Sequence, residues 1–258
     1  MEAMLIVVFL FGALVGSFLN VCIYRLPREE SVAWPASHCP ACCRSIAPYD
    51  NIPVLSYVVL AGRCRACQAK ISLRYPIVEL ANACGWVAIV AYFGWTPVAA
   101  AYAALFSALL VITGTDLSHT IIPDSVTLPG IAVGLICAAT ILPVGIVNAL
   151  LGVLIGGGLL WSLAVVSPYL FGKEGMGGGD IKLLAMVGAF LGWRAALLTI
   201  MIGALTGSVV GVGLIVLKVL RRDEYIPFGP FLALGALVAL FFHQPILDWY
   251  WGLLDPNP

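Results

Sequence analysis

Apolar residues run through this chain in blocks of about 20, the length that crosses the hydrocarbon core of a bilayer. The blocks fall at 4–24, 76–94, 97–115, 125–142, 146–170, 181–192, 195–219 and 228–243. About eight transmembrane helices are therefore expected, the sixth of them short. The fifth contains Gly152–Gly158 (GVLIGGG), where small residues let helices approach closely in lipid. Strands of a membrane barrel would alternate polar and apolar positions over short segments, and these unbroken runs do not. The one long polar interruption separates residues 1–75, one helix and a Cys-rich loop, from residues 76–258, a multi-helix membrane domain. Before the first block Glu2 is the only charge ahead of Arg25, so that block is expected to remain a helix and not serve as a cleaved signal.

Composition sharpens this to an all-α polytopic membrane protein. Hydrophobic residues make up 62% and charged residues 10%, with mean hydropathy +1.04. A soluble domain carries about 45–50% and about 25%, so soluble globular and disordered classes are excluded. Lys+Arg and Asp+Glu are both 13, and zero net charge gives no case for nucleic acid. Basic residues mark cytoplasmic loops. With the N-terminus outside, the cytoplasmic segments hold Arg25, Arg28, Arg44, Arg63, Arg65, Lys70, Arg74, Lys173, Lys182, Lys218, Arg221 and Arg222, and only Arg194 falls outside. The 25–75 loop is then cytoplasmic. The C-terminus, with Asp248 and Asp255, is external.

That loop holds Cys39-Pro-Ala-Cys42 and Cys64-Arg-Ala-Cys67, two CxxC pairs with 21 residues between them. Each pair puts two thiolates on one turn, and two turns complete a tetrahedron, as in a zinc ribbon. One structural zinc on Cys39, Cys42, Cys64 and Cys67 is expected. The competing readings are a redox dithiol pair or reduced thiols with no metal, and Cys43 and His38 are alternative ligands. Cys22, Cys84 and Cys137 lie in apolar blocks and read as packing residues.

Ionisable residues at the ends of membrane helices are candidates for function. Asp116 closes the third block, Asp124 precedes the fourth after Pro123, and Asp180 follows Gly177-Gly178-Gly179. Asp124 and Asp180 each also fit a helix N-cap. Asp116 is harder to dismiss, because an anion at a helix C-terminus opposes the macrodipole. Lys182 and His119 are the available partners. The glycines before Asp180 allow positive φ and close approach to another chain. No GxSxG or HExxH motif offers another nucleophile or metal site. Paired-carboxylate hydrolysis is the chemistry these residues permit. Two other readings compete. A transporter would place its acids near mid-bilayer, not at helix ends; a zinc-ribbon scaffold would leave Asp116 without a purpose.

Taken together, the motifs resemble those of the bacterial type IV prepilin peptidases. The likeness runs through Gly16-Ser-Phe-Leu-Asn-Val-Cys-Ile-Tyr-Arg-Leu-Pro27, the CxxC pairs, Ile71-Ser-Leu-Arg-Tyr-Pro-Ile-Val-Glu79, Ile122-Pro-Asp-Ser-Val-Thr-Leu-Pro129 and Gly177-Gly-Gly-Asp180-Ile-Lys-Leu-Leu-Ala. The resemblance implies an aspartic endopeptidase of the bacterial inner membrane that removes the short basic leader of type IV prepilins and pseudopilins on the cytoplasmic side. Many such enzymes also N-methylate the new terminal residue from S-adenosylmethionine, and the Cys-bearing region is associated with that bifunctional form. On this likeness Asp116 and Asp180 are the catalytic acids, with Asp124, Gly177, Gly179 and Lys182 in support. Asn20, Arg25 and Glu79 are the candidates for methyl transfer; their plain alternatives are helix packing, interface anchoring and a buried ion pair.

Overall fold

Helix accounts for the long apolar blocks in a computed structural model that describes residues 2–171, 176–219 and 226–254. Among these residues, seven long α-helices and one short one follow in order. They are α1 (Glu2–Arg25), α2 (Leu55–Val59), α3 (Arg74–Phe93), α4 (Pro97–His119), α5 (Asp124–Thr140), α6 (Gly145–Phe171), α7 (Gly178–Val216) and α8 (Gly229–Leu254). Among the described residues no strand forms. Lys173, Arg221, Arg222 and Asp255, used in the charge count above, lie outside the described residues.

Six helices, all but α2 and α5, are long and apolar enough to cross a membrane, and α5 is a shorter apolar helix. The sixth and seventh expected segments are joined in the 39-residue α7. At 1.5 Å per residue it would extend about 58 Å, twice a hydrocarbon core of about 30 Å. It is not one rod. Gly192 adopts φ 83, ψ 175 and divides α7 into two arms, Gly178–Leu191 and Trp193–Val216. A side chain at 192 would be strained, and its Cβ would also lie 2.7 Å from Val144 Cγ2.

The chain forms two compact units, Met1–Thr115 and Asp116–Pro258. In the first, α1 and α3 touch backbone to backbone. A Cβ on Gly16 would stand 2.7 Å from Glu79 Cα, and one on Gly12 would stand 2.9 Å from Ala83 Cα. Buried Asn82 joins three helices, donating to the Gly12 carbonyl at 2.7 Å and accepting from the Ser107 hydroxyl of α4 at 2.8 Å. The Trp86 indole donates to the same hydroxyl at 3.0 Å. Where the surroundings are as apolar as the core, such bonds and small-residue contacts hold helices together.

In the second unit the first arm of α7 is enclosed. Every residue from Leu183 to Leu191 is buried. Helices α5 and α6 pack on this arm through glycines: Gly130 and Gly134 of α5 admit Met186 and Phe190, and Gly152 of α6 meets Gly188 main chain to main chain. The second arm instead leaves Met201, Leu205, Val209, Val212 and Val216 exposed along one stripe, the pattern of a lipid-facing helix. The arm that starts with Gly178-Gly179-Asp180 is thus an interior element.

Gly188→Ala tests this packing. Ala exceeds Gly in a helix interior by about 1 kcal/mol, but here the new methyl meets the Gly152 carbonyl, at a cost of about 1–3 kcal/mol for overpacking. A lowered thermal midpoint in detergent is expected; a raised one would show that the helices do not touch there.

Candidate active site

Asp116 stands in the last turn of α4 and is 3% exposed. Its neighbour supplies what its own helix cannot. The backbone N–H of Gly229, the first residue of α8, donates to Asp116 Oδ2 at 2.8 Å. The positive end of the α8 dipole offsets the negative end of α4. The close approach needs glycine, because a Cβ at 229 would lie 2.7 Å from the same oxygen. Neither partner expected from sequence takes this role. Lys182 is engaged elsewhere, and the buried His119 Nδ1 makes no hydrogen bond. Sequence reading missed Gly229. Its signal was Phe228-Gly229-Pro230, a proline just inside a helix start beside a glycine with no turn to make.

Asp180, 4% exposed, lies in the first turn of α7. It is not the N-cap. Gly177 occupies that position in an extended conformation, φ −76, ψ 145. The Asp180 carboxylate turns back towards the Gly177 amide, as the acid of a capping box does. Its other oxygen, Oδ1, is buried with no partner. The carboxylates of Asp116 and Asp180 lie within electrostatic reach of one another.

The glycine run before Asp180 does not use positive φ, which among the described glycines occurs at Gly62, Gly94, Gly145 and Gly192. It serves close approach. A Cβ on Gly179 would stand 2.7 Å from Ile122 Cβ. Ile122 also reaches the start of α8, its Cδ1 lying 3.3 Å from where a Gly229 Cβ would be. One apolar side chain therefore spaces the two glycine-led helix starts that present and secure the acids.

Asp124 is likewise not an N-cap; Pro123 holds that place, and Asp124 opens α5 without a capping bond. Its carboxylate instead receives the Lys182 ammonium at 2.7 and 2.6 Å, a solvent-exposed pair that ties the start of α5 to the first turn of α7. Such pairs contribute about 0–1 kcal/mol. Among the described residues no salt bridge reaches Asp116 or Asp180.

In the first unit the four expected cysteines converge. The Sγ atoms of Cys39, Cys42, Cys64 and Cys67 all lie within 4.8 Å of one another and could hold a metal ion. Each pair sits on the same kind of turn. The Cys39 and Cys64 amides donate to the carbonyls of Arg44 and Ala69, and the Cys43 and Gln68 amides donate back to the carbonyls of Cys39 and Cys64. Cys43 and Gln68 take left-handed conformations, φ 57 and 59, that close the turns. Cys43 is thus a turn residue outside the cluster, and His38 Nδ1 lies 3.3 Å from the Ala36 carbonyl. Backbone amides of Cys67 and Ala66 pull the Cys64 thiol down to about 7, favouring the thiolate that binds metal. Arg65, inside the second turn, grips Asp50 through two bonds of 2.8 and 2.7 Å and holds that carboxyl below its usual range.

Asn20, Arg25 and Glu79 surround the base of this loop and are all buried. Arg25 donates to the carbonyls of Ser31 at 2.9 Å and Pro35 at 2.7 Å. Glu79 Oε2 accepts the Val54 amide at 2.7 Å, and the Ser17 hydroxyl also serves the carboxylate. Asn20 donates to the Tyr75 carbonyl at 3.1 Å, while its Oδ1 is buried and unpartnered. No ion pair joins Arg25 to Glu79 among the described residues.

Comparison with known proteins brings the two units under one family. Residues 10–93 match the model of the bacterial peptidase A24 N-terminal domain, and residues 103–212 match that of the type IV leader peptidase family. A protein of Aeromonas hydrophila named prepilin leader peptidase/N-methyltransferase is 40% identical over 94% of this chain and 92% of its own. Proteins of the same name from Pseudomonas aeruginosa and Burkholderia pseudomallei are 39% and 37% identical, covering 93% and 91% of this chain and 91% and 84% of theirs. No solved structure matches the chain.

Proposed function

The chain belongs to the type IV leader peptidase family, and from that membership we propose that it removes the leader of type IV prepilins and pseudopilins with Asp116 and Asp180 as its catalytic acids. The observation that carries the assignment is the pair itself. Two buried carboxylates act on one another, one is fixed by a backbone amide, and the other keeps an unpartnered oxygen. Two carboxylates at one site hold a proton between them because like charges cannot both ionise there. The ionised one takes a proton from water, whose oxygen attacks the scissile carbonyl carbon. The protonated one delivers its proton as the C–N bond breaks and the new amino terminus leaves. Asp180 Oδ1 is the free acceptor for the attacking water. Asp116, its Oδ2 held by Gly229, is the oriented partner. The pair titrates as one system, so acid and base are roles of the pair. Asp124, Gly177, Gly179 and Lys182 support the acids by holding the starts of α5 and α7 in place.

The working site belongs to the membrane domain, residues 76–258, and faces the cytoplasm of a bacterial inner-membrane protein. The distribution of Lys and Arg along the sequence supports that orientation when the two arms of α7 are counted as separate crossings. Residues 1–75 supply the metal-binding loop, and its ion is a structural zinc. The fit is chemical: four thiolates form a closed tetrahedral donor set with Zn–S of about 2.3 Å, which sets S···S edges at about 3.8 Å. The separation of Cys39 Sγ from Cys67 Sγ is 3.8 Å.

The name of the relatives also supports N-methylation of the new terminus, with S-adenosylmethionine as donor. Of the three candidate residues, Arg25 gives its hydrogen bonds to the loop backbone, and Glu79 takes the Val54 amide of the loop beside the Ser17 hydroxyl of α1. They are positioning residues for the metal-binding segment. Asn20 alone keeps an unpartnered buried acceptor, able to receive an N–H of substrate or donor. A transporter or a scaffold without peptidase activity fits less well, since neither requires two acids held together at helix ends.

Three outcomes test this reading. In membranes carrying each variant at matched abundance, Asp116→Asn and Asp180→Asn should each slow leader removal from a prepilin by about 10²–10⁴-fold or more, the usual worth of acid–base catalysis. Asp124→Asn should remain near wild type. Intact mass of the product should rise by one methyl group only when S-adenosylmethionine is present. Rapid cleavage by Asp180→Asn would remove the dyad.

Gly229→Ala should depress turnover by on the order of 10²-fold, as expected when a catalytic group moves by about 1 Å. A normal rate would mean that Asp116 does not depend on that amide.

Metal analysis of the purified protein should give about one zinc per chain by the four-ligand rule, and Cys64→Ser should lose it and expose the loop to protease. Zinc-free protein with an equally resistant loop would count against the assignment.

A further inference from the structure

Helix α2 is built inside out. Leu55, Val58 and Val59 fall at spacings of three and four residues, so they share one face, and they are 56%, 68% and 68% exposed. The inward side carries the polar group: Ser56 is buried and its hydroxyl donates to the Tyr49 carbonyl at 3.0 Å. A helix packed against a core in water turns its apolar face inward. An apolar face turned outward is the arrangement of a segment lying on lipid.

The attachment of α2 fixes its level. Glu79 lies five residues into α3, about 7 Å along the axis from Arg74 at 1.5 Å per residue. Its Oε2 accepts the Val54 amide at 2.7 Å, and Val54 is the residue that starts α2. To make this bond Val54 adopts φ 60, a strained value for a β-branched side chain. Helix α2 therefore begins beside the second turn of α3, not beyond its end. At that level α3 exposes Ile77 and Leu80, the start of its lipid-facing stripe. A bilayer's interfacial zone is about 5–8 Å thick on each side, so α2 starts where headgroups give way to acyl chains. After α2 the chain exposes Arg63 and Lys70, and before it exposed Tyr49. Cations and amphipathic rings are the residues that suit the headgroup layer.

We propose that α2 is a monotopic element lying in the bilayer interface from which α1 and α3 emerge, with acyl chains covering Leu55, Val58 and Val59 and anionic headgroups facing Arg63 and Lys70. The inference rests on the membrane-spanning character of α1 and α3 and is independent of the peptidase chemistry. It gives Glu79 a purpose: its carboxylate moors the interfacial helix to α3. The metal-binding loop is thereby held at the membrane at a third point, besides its two chain ends.

The test is site-specific photocross-linking in nanodiscs containing anionic phospholipid. p-Benzoylphenylalanine replaces Val58, with Ile77 as the membrane-embedded reference and Arg44 as the loop reference. All three side chains are exposed, so the protein should fold with each. Phospholipid adducts at position 58 should match those at 77 and exceed those at 44 by about tenfold, as expected of an acyl-chain contact against an aqueous one. Adducts at 58 no more abundant than at 44, while 77 labels fully, would overturn the proposal. So would adducts at 58 to a second copy of the chain in place of lipid. A second measurement follows the loop: Val58→Asp/Val59→Asp should retain its metal but be cut by protease between 55 and 63 about tenfold faster in nanodiscs, because a charged face leaves the interface. An unchanged rate would also overturn it.

Discussion

The hydrogen bond from the Gly229 amide to Asp116 sets the terms for the second unit. A carboxylate among membrane helices has no bulk water to solvate it, so the protein must bring a donor. The acid sits where its own helix is least able to help, at the negative end of α4. The donor must come from the opposite end of another helix, and α8 arrives with its first amide pointing at the oxygen. That arrival excludes any side chain at 229, and it places Ile122 between the starts of α7 and α8. Gly179 then has to be a glycine for the same steric reason. A single solvation requirement thus propagates into two glycines and three helix ends.

The first unit meets the same requirement with loop backbone. Arg25 and Glu79 are ionisable groups in or at the ends of apolar helices, and neither pairs with the other. Each is answered by main-chain groups of the intervening loop: carbonyls of Ser31 and Pro35 for the cation, the amide of Val54 for the anion. The loop is consequently anchored at both ends before any metal binds. A metal on the cysteines would then lock the two turns to each other, while Arg65 and Asp50 fasten the second turn to its surroundings. Charge burial and loop order are one problem with one solution.

How far the sequence could be read follows from the range of each interaction. The cysteine cluster was legible because CxxC spacing is a local geometric statement, and both turns form it in the same way. The helical segments were legible because 20-residue apolar runs have few other uses. What sequence could not display were partners distant along the chain. Gly229 lies 113 residues from Asp116, and nothing local marks an amide as a carboxylate's partner. Lys182 looked available to Asp116 by proximity to Asp180, yet Asp124 holds it across 58 residues. The N-cap readings of Asp124 and Asp180 failed for a different reason: Pro123 and Gly177 took the capping positions and freed both carboxylates for tertiary contacts. Gly192 reads as one more small residue in an apolar run until its φ shows that it ends one arm and begins another.

On the proposed assignment of Asp116 and Asp180 as the catalytic acids, the division of α7 bears directly on hydrolysis. Its first arm, Gly178–Leu191, extends about 21 Å at 1.5 Å per residue, short of a hydrocarbon core of about 30 Å. An arm that short leaves one end recessed below the membrane surface unless it lies at mid-depth, where both ends are recessed. Non-helical backbone such as that at Gly177 is tolerated at membrane depth only inside protein or beside water. The enclosing helices supply the first condition along the arm, and the unpartnered Asp180 Oδ1 requires the second at its start. For a peptidase the two conditions serve one end. The acids must stay out of lipid to be solvated by protein, and they must stay within reach of water because water is the second substrate. A full-length helix would carry Asp180 out to the headgroups, and one turned towards lipid would bury the acid beyond use. The short interior arm avoids both.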